Sequence, residues 1–217
     1  MKKTILLCLT IMLAFTGGCG MSKEQGNGNA NQESLPETEA LKDEFTKKFI
    51  QSDKEIEDGY YLFNSQTKKY NFLFPINAKL TVSDYEVNED DFESLSFGER
   101  KEQEDMGING KITFDTGSSA SDIESALQLL ANRNGYEGAF EERTMNDYSI
   151  YEALHIDTIE GQEFFVNMVY IKHPSKSEAI QFIYEGTCLN ENQCKFNEKS
   201  FMESKEKILN SIRFTSK

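Results

Sequence analysis

Two aromatic-rich segments in the first half of the chain constrain the fold most strongly. Residues 60–64 read Tyr-Tyr-Leu-Phe-Asn, and residues 70–74 read Tyr-Asn-Phe-Leu-Phe and are followed by Pro75. Short runs rich in aromatic and aliphatic residues are typical of β-strands, and proline ends a strand because it cannot donate a ladder hydrogen bond. The sequence therefore predicts two strands that are joined by a turn at residues 65–69.

Further segments have a similar strand-like composition. The additional predicted strands are residues 80–87, 92–99, 111–114, 136–143, 149–157, 163–172 and 178–187. The highly charged segment 99–107 is predicted to be a solvated loop or hairpin. The fold class that this pattern predicts is α+β, with mostly antiparallel strands and a few helices.

Helices are predicted where a serine precedes a glutamate by three residues, which is the capping-box pattern. The three predicted starts are Ser34, Ser121 and Ser200. The first of these helices carries Leu41, Phe45 and Phe49 at intervals of four residues, which places them in one apolar stripe. We expect this stripe to dock on the main body of the protein, because exposed phenylalanine side chains would be unfavourable.

The N-terminus has the features of a secretory signal. Met1-Lys2-Lys3 is followed by an apolar run at residues 5–15 and by small residues before a cysteine. Gly17-Gly18-Cys19 resembles the bacterial lipobox, although Thr16 occupies the position where leucine is usual. We expect residues 1–18 to be cleaved and Cys19 to carry lipid, including palmitate, on its thiol and its new amine. An ordinary cleaved signal is the alternative, whereas a membrane-spanning helix would need about 20 apolar residues.

The signal also predicts where the protein works and how the chain is divided. A lipid on Cys19 would anchor the protein at the extracytoplasmic face of the bacterial cell membrane. Residues 19–33 are polar and rich in glycine and asparagine, and they are predicted to be a flexible tether that spans about 20 Å. Residues 34–217 are predicted to form a single α+β domain.

The formal charge of −14 excludes one class of partner. Nucleic-acid binding depends on clustered lysine and arginine, so we expect no nucleic-acid partner. The same charge argues against spreading on anionic lipid. The N-terminal lipid is therefore the predicted contact with the membrane.

Two cysteines are left for the predicted domain, because Cys8 is removed with the signal and Cys19 is acylated. Cys188 and Cys194 are separated by Leu-Asn-Glu-Asn-Gln, and outside the cytoplasm such a pair is predicted to form a disulfide. A metal site is the alternative, but zinc usually needs four ligands and the histidines are distant in sequence. We predict neither a metal nor a cofactor.

One short motif suggests an enzyme. Phe114-Asp115-Thr116-Gly117 matches the active-site motif of pepsin-like proteases, in which two aspartates share a proton and activate water. The chain has one such motif, so a homodimer would have to supply the second aspartate. In addition, Ser121 begins a predicted helix where those proteases continue as a strand. An aspartic-protease-like envelope hydrolase that uses Asp115 is therefore the alternative function.

Two further groups of polar residues have simple interpretations. Residues 88–93, Asn-Glu-Asp-Asp-Phe-Glu, offer oxygen ligands for calcium, but their spacing differs from that of an EF-hand loop. A solvated acidic turn is predicted there. His155 and His173 have no nucleophile signature near them, so the sequence favours no catalytic triad.

Segments at both ends of the predicted domain resemble a known fold family. Residues 59–63 and 70–75 look like the opening hairpin of PsbP/Mog1-like domains, and residues 208–214 look like their last helix and last strand. With the lipobox and the loop from Cys188 to Cys194, nearly the whole chain is similar to YvcA-like lipoproteins of bacilli. The resemblance implies an α/β/α sandwich and a membrane-anchored, non-enzymatic surface lipoprotein. It also implies binding to another protein or envelope component, in surface or colony organisation, and it supplies no catalytic residue.

Overall fold

An antiparallel sheet of eight strands forms the centre of the computed structural model, which describes residues 37–190 and 194–215. The strands are β1 Tyr60–Asn64, β2 Tyr70–Pro75, β3 Ala78–Leu80, β4 Glu86–Asn88, β5 Phe92–Lys101, β6 Met106–Asp115, β7 Glu141–Met145, β8 Tyr148–Ile159, β9 Gln162–Lys172, β10 Ala179–Cys188 and β11 Arg213–Phe214. The α-helices are α1 Glu39–Lys42, α2 Ile123–Arg133 and α3 Glu198–Ser211. Short 3₁₀ helices occupy Thr46–Phe49, Val82–Asp84, Glu102–Glu104 and Ser118–Ala120.

The strands belong to two sheets within these described residues. The large sheet has the order β3-β5-β6-β10-β9-β8-β7, with β4 beside β5, and the small sheet has the order β1-β2-β11. Every pair of neighbouring strands is antiparallel. The mostly antiparallel α+β class predicted from the sequence is confirmed.

The two faces of the large sheet are covered by different elements. Successive residues of a strand point to opposite faces. On β9, Val169 therefore joins the apolar cluster that the sheet forms with the small sheet and α3, whereas Met168 joins the cluster formed with α2. The first cluster contains most of the buried aromatic rings, including Phe72 of β2 and Phe97 of β5, whose centroids are 6.3 Å apart. The main core thus lies between the two sheets, and α2 covers the opposite face.

Helices α2 and α3 form where the sequence predicts helices, but their caps differ from the predicted ones. Asp122 caps α2 by accepting from Ser125 N at 3.1 Å, because Ser121 is still part of the preceding 3₁₀ turn. Asn197 caps α3 by accepting from Ser200 N at 3.1 Å. The predicted capping serines are therefore wrong in both cases, since a nearby Asp or Asn side chain serves as the cap instead.

The first predicted helix is much shorter than expected, because only one turn of α-helix forms. The predicted start at Ser34 lies outside the described residues, and α1 ends at Lys42. Asp43 then accepts hydrogen bonds from Thr46 N and Thr46 Oγ1, both at 2.7 Å, which ends α1 and starts the following 3₁₀ helix. Phe49 is buried and Phe45 packs against the same cluster, so the predicted docking of this stripe is confirmed.

Several strand boundaries also differ from the predictions. The single strand predicted at residues 80–87 is absent: β3 ends at Leu80, Val82–Asp84 form a 3₁₀ turn, and β4 begins at Glu86. The strand predicted at 136–143 begins only at Glu141, because Gly135, with a φ of 63°, turns the chain after α2. The charged segment 99–107, predicted to be a loop or hairpin, is the hairpin between β5 and β6, which remain paired as far as Lys101 and Met106.

Candidate functional site

A groove of about 760 Å³ lies between the turn that connects β1 to β2 and the 3₁₀ helix Thr46–Phe49. Ligand-binding clefts in proteins commonly enclose about 300–1,000 Å³. Aromatic and aliphatic side chains form much of its wall, namely Phe45, Phe49, Ile50 and Tyr70. The groove is the best-formed candidate for a binding site in the described part of the chain.

One wall of the groove is fixed by the capped turn at Asp43. Thr46 is fully buried and its hydroxyl accepts from Leu80 N at 2.9 Å, which ties the 3₁₀ helix to β3. Phe49 then stacks on Phe63 of β1, with ring centroids 5.2 Å apart and planes 2° apart. Phe45 packs edge-on against Phe49 at 5.4 Å. These contacts hold the two phenylalanine side chains in place along the wall of the groove.

The opposite wall is the β1–β2 turn, and two buried polar side chains hold it in shape. Ser65 Oγ accepts from Lys69 N at 3.1 Å and from Tyr70 N at 3.2 Å. Glu93 of β5 accepts from Gln66 N at 3.1 Å and from Thr67 N at 3.2 Å. Backbone N–H groups that would otherwise be unpaired in the interior are satisfied in this way.

Glu93 is an important residue that the sequence analysis missed. It belongs to residues 88–93, which were predicted to be a solvated turn, yet its side chain is completely buried. It also accepts from Thr67 Oγ1 at 3.0 Å and from Tyr85 OH at 3.2 Å. Glu93 shares a face of β5 with Leu95 and Phe97, which lie in the main core, and this alternation was the signal that could have identified it.

The end of the described chain closes a third side of the groove. Thr215 lies just after β11, and its N–H donates to Lys69 O at 2.7 Å. Its hydroxyl donates to Lys68 O at 2.5 Å. The C-terminal strand is therefore attached to the β1–β2 turn.

The charges at the groove are opposite in sign to the charge of the whole chain. The charged side chains among its described lining residues are both lysines, Lys48 and Lys68, and both residues are exposed. Lys48 Nζ lies 5.6 Å from the centroid of the Phe45 ring, within the range of a cation–π contact. In a protein with a formal charge of −14, this combination favours an occupant that is apolar and carries a negative group.

Tyr70 supplies a polar atom inside the apolar wall. Its hydroxyl is buried and has no hydrogen-bond partner among the described residues. Burial, followed by the nearby charges of Glu93 and Tyr85, holds the pKa of Tyr70 well above its ordinary value. The phenol is therefore neutral and retains its capacity to donate a hydrogen bond.

Asp115 lies away from this groove and has a structural role. It ends β6, and its Oδ1 accepts from Gly117 N at 2.7 Å, in the turn that leads to α2. The adjacent space, lined by Tyr170 and Ala120 among others, has a volume of about 10 Å³. That space holds no more than about one water molecule, so it is not a cleft for a peptide.

The histidines and the acidic turn are not brought together into a site. His155 pairs with Val166 within the β8–β9 ladder, whereas His173 follows the end of β9, about 20 Å further along at about 3.3 Å per residue. Among the described residues, no group of three or more His, Cys, Asp and Glu side chains could hold a metal ion.

Cys188 and Cys194 are bonded to each other, with their Cα atoms 5.6 Å apart. The bridge closes the loop between β10 and α3, at the end of the large sheet opposite to Asp115. Cys19 lies outside the described residues. No helix within the described residues is long and apolar enough to cross a bilayer.

The fold and the groove define an α+β protein with an apolar cleft that has lysines at its rim. A family model described as "Putative lipoprotein YvcA" matches residues 36–213, and the chain belongs to this family. A relative named "Putative lipoprotein YvcA", from Bacillus subtilis (strain 168), is 28% identical over 234 residues, which cover 99% of this chain and 97% of the relative.

Two solved structures are similar to parts of the chain. A protein from Bacteroides thetaiotaomicron VPI-5482 has a TM-score of 0.45 at 13% identity, over 72% of this chain and 48% of that protein, about half of its length. LpqN of Mycobacterium tuberculosis, described as involved in cell envelope biogenesis, has a TM-score of 0.36 at 14% identity, over 64% of this chain and 84% of that protein.

Proposed function

We propose that this protein is a non-enzymatic lipoprotein of the cell envelope, which is anchored through Cys19 and binds another envelope component in the groove. The family and the name of the Bacillus subtilis relative support the lipoprotein assignment. The signal-like residues 1–18 and the polar residues 19–33 would place the domain that begins at residue 34 within reach of the extracytoplasmic face of the cell membrane.

The chemistry of the groove supports an anionic amphiphile as the bound component. The aromatic wall of Phe45, Phe49 and Tyr70 would accept an acyl chain, and burying apolar surface there would supply most of the affinity. Lys48 and Lys68 at the rim would bind its phosphate or carboxylate. The groove, with its apolar wall and basic rim in an acidic protein, is the observation that carries this proposal.

The fold is proposed to be of the PsbP/Mog1 kind. Support comes from the layers in the structure, in which α2 covers one face of the large sheet while α3 and the small sheet cover the other. The family label, YvcA_Mog1p, also joins the two names. Binding and assembly roles are common in that fold, which is an argument by analogy.

Photolabelling of the full-length protein tests the groove. The protein is reconstituted in vesicles of zwitterionic lipid and exposed to a long-chain fatty acid that carries a photoreactive group. We expect the label on peptides that contain Phe45, Phe49 or Tyr70. The double variant Lys48→Glu, Lys68→Glu should need a roughly tenfold higher probe concentration, because two exposed charge contacts of up to about 1 kcal/mol each are lost.

A matched control uses lysine outside the groove. Lys199 is exposed on α3 and pairs with Glu203, so Lys199→Glu should leave the labelling unchanged. Labelling spread evenly over the surface, or equal labelling in the double variant, would contradict the proposed groove ligand. The anchor is tested separately, since Cys19→Ala should release the protein to the medium or leave it unprocessed, without changing the groove.

A further inference from the structure

A cluster of polar side chains is buried where α3 packs on β8 and β9. Lys205 of α3 and Asn167 of β9 are both 0% exposed. Glu152 of β8 lies between them, and its side chain is 17% exposed. Lysine is almost never fully buried without a specific partner, so this cluster requires a chemical explanation.

The sequence positions of these residues bring them to one face of the sheet. Glu152 is the ladder partner of Val169, and Asn167 lies two residues from Val169 on the same strand, which makes Glu152 and Asn167 diagonal neighbours. Lys205 projects onto them from α3. Phe201 and Ile208 of α3 and Val169 of β9 are completely buried in the same apolar core.

A single carboxylate oxygen joins the lysine to the asparagine. Lys205 Nζ donates a hydrogen bond to Glu152 Oε1, and Asn167 Nδ2 donates to the same Oε1 at 3.0 Å. The amide oxygen of Asn167 is buried and has no hydrogen-bond partner among the described residues. An amine, an amide and a carboxylate therefore meet in a largely buried site.

We propose that Lys205 and Asn167 become joined by an intramolecular isopeptide bond, with Glu152 as the residue that transfers the proton. Lys205 Nζ, which donates to two carboxylates, first gives one proton to Glu206 Oε1. The neutral amine then attacks Asn167 Cγ, and Glu152 Oε1 takes a second proton from Nζ. The Cγ–Nδ2 bond breaks as Glu152 returns this proton to Nδ2, which leaves as ammonia. The products are one amide between the two side chains and one ammonia, which removes the proton held by Glu206 and leaves as ammonium. No oxidant or cofactor is consumed.

The remaining neighbours hold Glu152 in position for this step. Arg143 donates to Glu152 Oε2 from Nε at 3.2 Å and from Nη2 at 3.1 Å, which leaves Oε1 for the two reacting nitrogens. Glu206 Oε1 accepts from Lys205 Nζ at 2.7 Å and orients the amine. Burial raises the pKa of Glu152, but the contacts with Lys205, Asn167 and Arg143 outweigh burial and hold this pKa below its ordinary value, so the carboxylate is ionised beside the amine.

The bond would have a mechanical consequence. It would link β9 covalently to α3, in addition to the disulfide that joins β10 to the residues just before α3. The helix that covers the main core would then remain attached to the sheet when the rest of the chain unfolds. Such a link suits a protein outside the cytoplasm, where unfolded chains are exposed to proteases.

Peptide mass mapping of the full-length protein tests the proposal. The protein is purified from bacterial membranes in detergent and is digested with trypsin. We expect the peptides that span residues 144–172 and 200–207 to appear as one linked species, with the mass of the two peptides less one ammonia. The result that would overturn the proposal is recovery of these regions only as separate peptides, cleaved after Lys205.

Three variants assign the roles. Lys205→Arg should abolish the linked species, because arginine lacks the attacking amine, and Glu152→Gln should abolish it because no carboxylate is left to carry the second proton to Nδ2. Lys207→Arg, two residues further along α3, should leave the yield unchanged. A linked species at full yield in Glu152→Gln would refute the role of Glu152, and the parent protein decides the bond itself even if a variant fails to fold.

Discussion

Replacing Glu93 with glutamine should destabilise the protein through the wall of the groove. Glu93 is completely buried and accepts hydrogen bonds from the N–H groups of Gln66 and Thr67. Glutamine has the same size, but one acceptor oxygen becomes an NH₂ group. If the amide oxygen keeps the contacts with Thr67, the NH₂ group faces the N–H of Gln66, and two donors then oppose each other.

The size of the effect follows from these contacts. An unsatisfied buried N–H costs about 1–3 kcal/mol, and the hydrogen bonds that remain lose the contribution of the charge. We therefore expect the free energy of unfolding to fall by about 3 kcal/mol. For a domain of this length, that corresponds to a decrease in Tm of roughly 6–12 °C.

Thermal unfolding followed by circular dichroism measures this change. Glu89→Gln is the matched control, because Glu89 lies in the same acidic segment but is exposed, and its Tm should stay within about 1 °C of the parent, as expected for a surface substitution. A decrease of less than about 1 kcal/mol in Glu93→Gln would show that the carboxylate does not hold the turn.

Two further predictions concern His173 and Asp115. Burial, followed by the charge of Lys176, holds the pKa of His173 below its ordinary value of 6.5, and its Nδ1 accepts from Ser175 N and Lys176 N only when unprotonated. The stabilisation from these two hydrogen bonds is present above pH 6.5 and is lost as the pH falls through the pKa of His173 in the folded protein. His173→Asn should therefore give a flatter profile of Tm against pH in this range. Asp115→Ala should lower the free energy of unfolding by about 1 kcal/mol, because the hydrogen bond to Gly117 N is lost. It should leave any peptide-cleaving activity at acid pH unchanged. Peptide cleavage that is present in the parent and vanishes in this variant would support the alternative function as a hydrolase.

Much of the sheet could be predicted from local sequence because several strands are long and apolar. Tyr60–Asn64 forms the predicted strand without change. β9 differs from its prediction by one residue at its start, and β10 differs by one residue at each end. Both faces of β9 and β10 pack in apolar clusters, so the local apolar pattern and the final packing agree. The short elements at residues 80–88 could not be predicted, because pairing with β5 decides where they begin and end.

The candidate site and the buried cluster at Lys205 were much less predictable, because they depend on specific hydrogen bonds of polar side chains, one of them local and others between distant parts of the chain. A local hydrogen bond from Thr46 N to Asp43 divides the predicted helix into α1 and a 3₁₀ helix. The periodicity of Phe45 and Phe49 does not reveal this division. Glu93 reaches a turn 26 residues away in sequence, and Lys205 reaches Glu152 across 53 residues. Composition alone makes both residues resemble ordinary surface charges, and only the packed fold shows that they are buried.

The attachment of Thr215 to the β1–β2 turn determines where a reporter or affinity tag can be added. A sequence fused after Lys217 would begin only two residues beyond Thr215, which is attached beside the groove, and it would compete for the groove or shield it. The N-terminus carries the predicted signal and the predicted lipidation site, Cys19, so it is unsuitable for a tag. The turn between β8 and β9, at Glu160 and Gly161, is exposed and lies at the opposite end of the large sheet, so an internal label inserted there would leave the groove accessible.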